Sequence, residues 1–217
     1  MATPDRSARG RFITFEGGEG AGKSTQVRLL AQALREAGIS VDETREPGGS
    51  EIAERVRDFL LSGQAKEMGP VAETFLFNAA RYDHVRARIA PALEKGTWVL
   101  CDRFADSSRI YQSVAGGVEM SLVLGLEKIV VGDTQPDLTF VLDLPAPEGL
   151  ARAGARRGAA TVDRFESQDI AVHERIRAGF LAIAQSEPGR CAVVDATRPA
   201  ATLMFDIRAI VRERLGQ

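Results

Sequence analysis

The segment Phe15–Gln26, FEGGEGAGKSTQ, concentrates the residues most able to do chemistry. Gly17, Gly18, Gly20 and Gly22 fall close together and lead directly into Lys23, Ser24 and Thr25. A structural loop needs one or two glycines, whereas this run brings main chain close to something bulky and negative. Gly17, Gly22, Lys23 and Ser24 satisfy the phosphate-loop spacing GxxxxGK[ST]. Residues without Cβ let successive N–H groups curl round a phosphate, and a helix opening near Gly22 adds the positive end of its dipole. Lys23 supplies a point charge to the β- and γ-phosphates of a nucleotide, and the Ser24 hydroxyl is a ligand for magnesium. The nucleotide-binding set is therefore Gly17, Gly18, Gly20, Ala21, Gly22, Lys23, Ser24 and Thr25. The alternative is a structural glycine turn, and the position of the motif between an apolar strand and an amphipathic helix argues against it.

Other phosphate-loop classes leave signatures that are missing here. Guanine-specific GTPases carry NKxD, but the single asparagine, Asn78, is followed by alanine, and no DxxG occurs. LLSGQ (60–64) is similar to a transporter-ATPase signature but lacks a glycine and follows the loop too closely, so it reads as a helix end. A kinase acting on a small phosphorylated acceptor needs a second cationic pocket, because two anions must be held in line. TREPGGSE (44–51), LFNAARYD (76–83) and CDRFADSSRIYQ (101–112) are the candidate segments.

Positioning these residues requires strands that end where the motifs begin. Apolar runs at 11–16, 39–44, 97–102, 138–144 and 191–196 read as strands separated by helical segments. Near-continuous apolar strands alternating with helices predict an α/β fold, a five-stranded parallel sheet flanked by helices on both faces. Ser50 is the expected N-cap of a helix ending at Gly63, and the helical region 69–96 is expected to be interrupted at Pro91. The first and third candidate segments follow strands at their carboxyl ends, where open α/β sheets place ligands. Residues 1–10 read as a flexible tail and 11–217 as one domain. The stretch 156–169 is rich in charge and small residues, has no apolar face, and reads either as a solvated loop or as part of a mobile lid at about 154–168.

Composition bounds the function. The 217 residues are 44% hydrophobic and 27% charged with a net charge of −2, which argues against a protein built to neutralise nucleic acid. Cys101 and Cys191 lie in apolar runs and read as buried thiols. The polar N-terminus and the absence of a long apolar run predict a cytoplasmic protein without membrane contact.

Taken in order, FEGGEGAGKST, TREPGG, FLFNAAR, GTWVLCDRF with YQ downstream, QPDLTFVLDL, DRFE and VVDAT resemble the motifs of bacterial thymidylate kinase, over residues 12 to 212 or so. The resemblance implies a homodimeric nucleoside monophosphate kinase that transfers the γ-phosphoryl of ATP to dTMP with magnesium, in dTTP biosynthesis. It implies that Phe77 stacks on thymine and Arg81 bonds its exocyclic oxygen. The two share a helix face at a spacing of four, although a helical aromatic such as Phe77 is by itself more often core. It implies that Asp102 orients magnesium with Ser24, that Arg103 bridges donor and acceptor phosphates, and that Arg45, Glu46 and Pro47 line the acceptor phosphate. Ser107, Ser108, Tyr111 and Gln112 would contact sugar and base, Glu19 the acceptor sugar, Asp195 and Ala196 the donor nucleotide, and Asp163 and Arg164 of DRFE the substrate from the lid.

Some members of the family carry an arginine in the phosphate loop after the second glycine. Glu19 stands there, so the resemblance implies that Arg156, Arg157 or Arg164 supplies the transition-state charge, with Arg157 the expected contact. Ser113 after YQ, Phe104 after the DR pair and Ile110 depart from the commoner family pattern and bear on acceptor specificity. Two rival readings remain: a deoxynucleoside kinase with Glu46 as general base, and a nucleotide-sensing protein without turnover.

Overall fold

Strand β1 (Phe12–Glu16) is buried at every position, as expected of a central strand covered on both faces. The computed structural model describes residues 9–157 and 169–216, without the side chains of residues 156 and 157. In chain order its elements are β1, α1 (Lys23–Glu36), β2 (Val41–Arg45), α2 (Glu51–Leu61), α3 (Pro70–His84), α4 (Ala90–Glu94), β3 (Trp98–Asp102), α5 (Ala105–Ser108), α6 (Met120–Val131), β4 (Leu138–Asp143), α7 (Ala146–Arg157), α8 (Ile170–Ser186), β5 (Cys191–Asp195) and α9 (Ala200–Leu215). The sheet is five-stranded with order β2-β3-β1-β4-β5, and every pairing is parallel. The chain leaves β1 toward β2 and β3 on one side and reaches β4 and β5 on the other. The carboxyl end of β1 is therefore a topological switch point.

Alternation along β1 builds two cores. Ile13 and Phe15 face α1 and α9 together with Leu30, Leu34, Leu203 and Ile207. Phe12 faces the other way, into Val85, Ile89, Leu93 and Phe104, while Val141 of β4 meets Ile176 and Phe180 of α8. Both cysteines are free and buried.

Local differences from expectation have physical causes. Ser50 holds the N-cap position of α2, but its hydroxyl donates to Asp83 of α3 (2.6 Å) instead of capping its own helix. The interruption at Pro91 takes the form of a π-turn (Val85–Ile89) between α3 and α4. Proline lacks an N–H and its ring crowds the preceding turn, and a wider turn relieves both. A second π-helical segment (Arg109–Ala115) extends α5, an element the sequence pattern does not disclose. Gly10, placed in the tail by its polar neighbours, is buried and its N–H donates to Leu93 O (2.9 Å). Helix α7 runs through residue 157, so positions 154–157 of the expected lid are helical.

Candidate active site

Strand register brings the motifs together. Phe15 of β1 lies opposite Asp102 of β3, and Arg45 of β2 lies opposite Asp102 from the other side. Three motif-bearing strand ends thus meet around one cleft of about 270 Å³. Glu19, Gly20, Gly22, Lys23 and Ser24 line it from the phosphate loop, and Arg45, Glu46, Pro47, Phe77 and Arg81 line it from the turn after β2 and from α3. Asp102, Arg103, Ser107, Ser108, Tyr111 and Gln112 complete the wall.

The phosphate loop is seated backbone to backbone against α7. Gly20 has φ 68°, and a Cβ there would stand 2.0 Å from the carbonyl oxygen of Gly149 in α7. A Cβ on Gly149 would in turn meet Glu19 O at 2.3 Å. Gly18 and Gly22 have open space around them, so the close approach belongs to Gly20 and to Gly17, where a Cβ would stand 2.5 Å from Leu142 O. Lys23 opens α1, and its ammonium donates to Gly17 O (3.0 Å) and Gly18 O (2.8 Å). The Ser24 hydroxyl donates to the Asp102 carboxylate.

Arg103, on the cleft wall, has its backbone in the left-handed region, φ 69°. Its guanidinium donates to Glu19 Oε1 (2.6 Å) and Gly17 O (3.2 Å) and lies over the Tyr111 ring, 4.8 Å from the centroid. The Tyr111 hydroxyl donates to the same Glu19 oxygen (3.1 Å).

Phe77 of α3 is half-buried on the cleft wall and so is not core. Arg81 is 3% exposed. Its Nε donates to Glu46 (2.7 Å), Nη1 to Ser108 Oγ (3.0 Å) and Asn78 Oδ1 (3.4 Å), and Nη2 to the Phe104 carbonyl (3.1 Å). Of five guanidinium N–H groups, one on Nη2 is left for a ligand among the described residues.

The model for the thymidylate kinase family matches residues 15–207. The chain belongs to the thymidylate kinase family. It is 52% identical over 215 residues to the thymidylate kinase of Nitrobacter winogradskyi, covering 99% of this chain and 94% of that protein. The thymidylate kinase of Afipia carboxidovorans is 54% identical with the same coverages. Among solved structures, thymidylate kinase from Ehrlichia chaffeensis matches with a TM-score of 0.76 at 33% identity, covering 94% of this chain and 99% of that one. The α/β fold expected from strand patterning is the fold of this family.

Not every residue that the thymidylate kinase motifs single out reaches the cleft wall. Asp195, at the end of β5, is exposed and accepts from the Thr197 N–H (3.0 Å) and hydroxyl (2.6 Å). Ala196 is buried, and its carbonyl accepts from Arg152 (2.8 Å). Gly17, Gly18, Ala21 and Thr25 do not line the cleft, and the first two are carbonyl partners of Lys23. Arg156 and Arg157 end α7, but their side chains, with Asp163 and Arg164, lie outside the described residues. Conversely, Arg57 and Leu61, four apart on α2, line the cleft without belonging to any motif. Arg57 donates to Pro47 O (2.5 Å) and so ties α2 to the turn after β2. The helical period of α2 marks their shared face, but nothing local says what that face meets.

Burial and charge set the protonation of the site. Burial alone would raise the Glu19 carboxyl, yet Arg103, Lys23 and the Tyr111 hydroxyl hold it down at about 2. Burial, followed by repulsion from Arg103, pushes the Lys23 ammonium down to about 8 against the pull of Glu19 and Asp102. For Glu46 burial again acts upward, but Arg81 and His84 bring it below the ordinary glutamate value. Its oxygens are engaged by Arg81 Nε and by His84 Nδ1 (3.1 Å). A carboxylate so stabilised is a weak general base, which counts against the thymidine-phosphorylating alternative.

Proposed function

We propose that this cleft transfers the γ-phosphoryl of ATP to the phosphate of dTMP, giving ADP and dTDP, with each residue acting as follows. The observation that carries the reading is one cleft whose wall holds Lys23, Arg103, Phe77 and Arg81 together. Lys23, now turned onto two loop carbonyls, exchanges those partners for the donor phosphates as they enter, and the N-terminus of α1 adds its dipole. Phe77 stacks on the thymine ring while the remaining Nη2 N–H of Arg81 donates to a base oxygen. Arg103 shifts from Glu19 onto the facing phosphates, where developing charge is largest. Glu19 and Tyr111 then form the sugar side of the acceptor site, and Arg45 and Pro47 the phosphate side.

The donor set at Ser24 and Asp102 suits magnesium. A hydroxyl and a carboxylate oxygen are hard ligands, and a cation that keeps waters and substrate oxygens in its shell needs few protein ligands. When bound there, magnesium would neutralise charge on the donor phosphates. Helix α7, seated against the phosphate loop through Gly149, leads to Arg157, which supports a lid arginine reaching the transferred group.

We assign the protein to the cytoplasm as a homodimer. Among the described residues no helix is long and apolar enough to cross a membrane, and both cysteines are free thiols. Val71, Phe75 and Tyr82 of α3 and Leu124 of α6 are exposed apolar side chains on two helices that pack together. A face of this kind calls for a partner, and a second copy supplies it. Light scattering should return twice the chain mass for the wild type and the chain mass for Phe75→Asp; a monomeric wild type removes the dimer. The decisive assay offers ATP with dTMP or with thymidine and follows ADP release. Turnover with dTMP and none with thymidine is expected, and the reverse preference would establish a nucleoside kinase.

A further inference from the structure

Glu16, the last residue of β1, belongs to none of the sets above, yet it is fully buried at 0% exposure. Its carboxylate meets a segment 88 residues downstream. Oε1 accepts from the N–H groups of Phe104 (2.7 Å) and Ser107 (3.3 Å), and Oε2 accepts from Ser107 Oγ (2.7 Å). Helix α5 is a single turn whose N-cap residue, Phe104, offers no side-chain cap of its own. The first N–H groups of a helix need acceptors, and burial makes that need acute. Glu16 fills it from another strand for the Phe104 N–H and shares the Ser107 N–H with the Phe104 carbonyl (3.1 Å).

The segment it caps carries the acceptor wall. Arg103 precedes it in a left-handed conformation, Ser107 Oγ also faces Arg103 Nη1 (3.4 Å), and Ser108 Oγ receives Arg81. From the far side Asp106 is gripped by Arg190 through both oxygens (2.7 and 3.1 Å). On its other flank Glu16 is bonded to Gly17, whose carbonyl accepts from both Lys23 and Arg103. One buried carboxylate thus joins the phosphate loop to the wall that bears the acceptor groups.

We infer that Glu16 is a positioning residue for phosphoryl transfer, acting through Arg103 and Ser107 to hold the acceptor wall in register with the phosphate loop. The inference rests on the acceptor-side reading of Arg103 and Arg81. Steady-state kinetics of Glu16→Ala, Glu16→Gln and Glu16→Asp, beside Arg103→Ala, test it. Misplacing reacting groups by an ångström costs about 10²-fold, so Glu16→Ala should lose about that much kcat with the KM for ATP within about threefold. Glu16→Gln keeps an oxygen in place for the two N–H groups and should recover most of the loss. Glu16→Asp keeps the charge but withdraws it by one methylene and should stay slow. Unchanged kcat in Glu16→Ala, or Glu16→Asp faster than Glu16→Gln, overturns the inference. If Glu16→Ala does not fold, the order of the other two variants decides. Unchanged turnover in Arg103→Ala would instead sink the acceptor-side reading itself.

Discussion

Arg81 illustrates how much a single side chain can be made to do. Its planar fork reaches a carboxylate, two side-chain oxygens and a main-chain carbonyl at once, which an ammonium on a flexible stem does not reproduce. Arg81→Lys should therefore raise the KM for dTMP by about tenfold or more while leaving the KM for ATP nearly unchanged. The partly unpaired Glu46 should also lower the thermal midpoint, since breaking a buried pair costs about 3–5 kcal/mol. Initial-rate kinetics with each substrate varied, together with a melting curve, check both; an unaltered dTMP dependence would remove Arg81 from the base. Spacing in the sequence puts Phe77 and Arg81 on one helix face and says no more. The family resemblance implies that they meet a base, and only the half-buried placement of Phe77 on the cleft wall separates it from a core aromatic.

Elements, not isolated residues, decide how the phosphate loop meets helix α7. Helix α7 begins against the phosphate loop, where Gly149 and Gly20 allow carbonyl and backbone to touch, and ends at Arg157. A lever anchored at the donor site suits an arginine that meets the transferred phosphoryl group only in the transition state. Arg157→Ala should then lower kcat by about 10³-fold with little change in ATP affinity. Single-turnover rates and nucleotide titration separate the two effects, and undiminished turnover would move the duty to Arg156 or Arg164. The π-helical turn at Arg109–Ala115 is a second element-scale device, placing Tyr111 and Gln112 on the cleft wall. Neither the Gly20–Gly149 contact nor the π-turn has a local signature. Gly149 reads as an ordinary helix residue, and the π-turn depends on packing against α8 and α6.

Over the whole molecule, buried charge makes stability depend on pH. The Glu16 carboxyl is pushed up to about 7, first by burial and next by Asp106, against Ser107, Arg103 and the Phe104 N–H. A carboxyl raised in this way contributes stability that is full below the ordinary glutamate value of 4.5 and lost as pH rises through about 7. The contribution is on the order of 3 kcal/mol. Glu16→Gln has no such titration, so its midpoint relative to wild type should climb between about pH 5 and about pH 8. Thermal melts across that range check it, and a constant difference would show that Glu16 titrates normally.

What the chain discloses on its own is local and periodic. The spacing of Gly17, Gly22, Lys23 and Ser24 marks a phosphate site, and five apolar runs ending in or beside charged motifs mark a parallel sheet. Both follow from short-range chemistry: the reach of an N–H, the pitch of a helix, the two faces of a strand. Tertiary structure alone decides the order β2-β3-β1-β4-β5, which sets Asp102 beside Ser24 and gives Glu16 a helix to cap 88 residues away. Those partners are selected by the burial of whole faces against one another, and a carboxylate at a strand end carries no mark of the N–H groups it will meet until the sheet has closed around it.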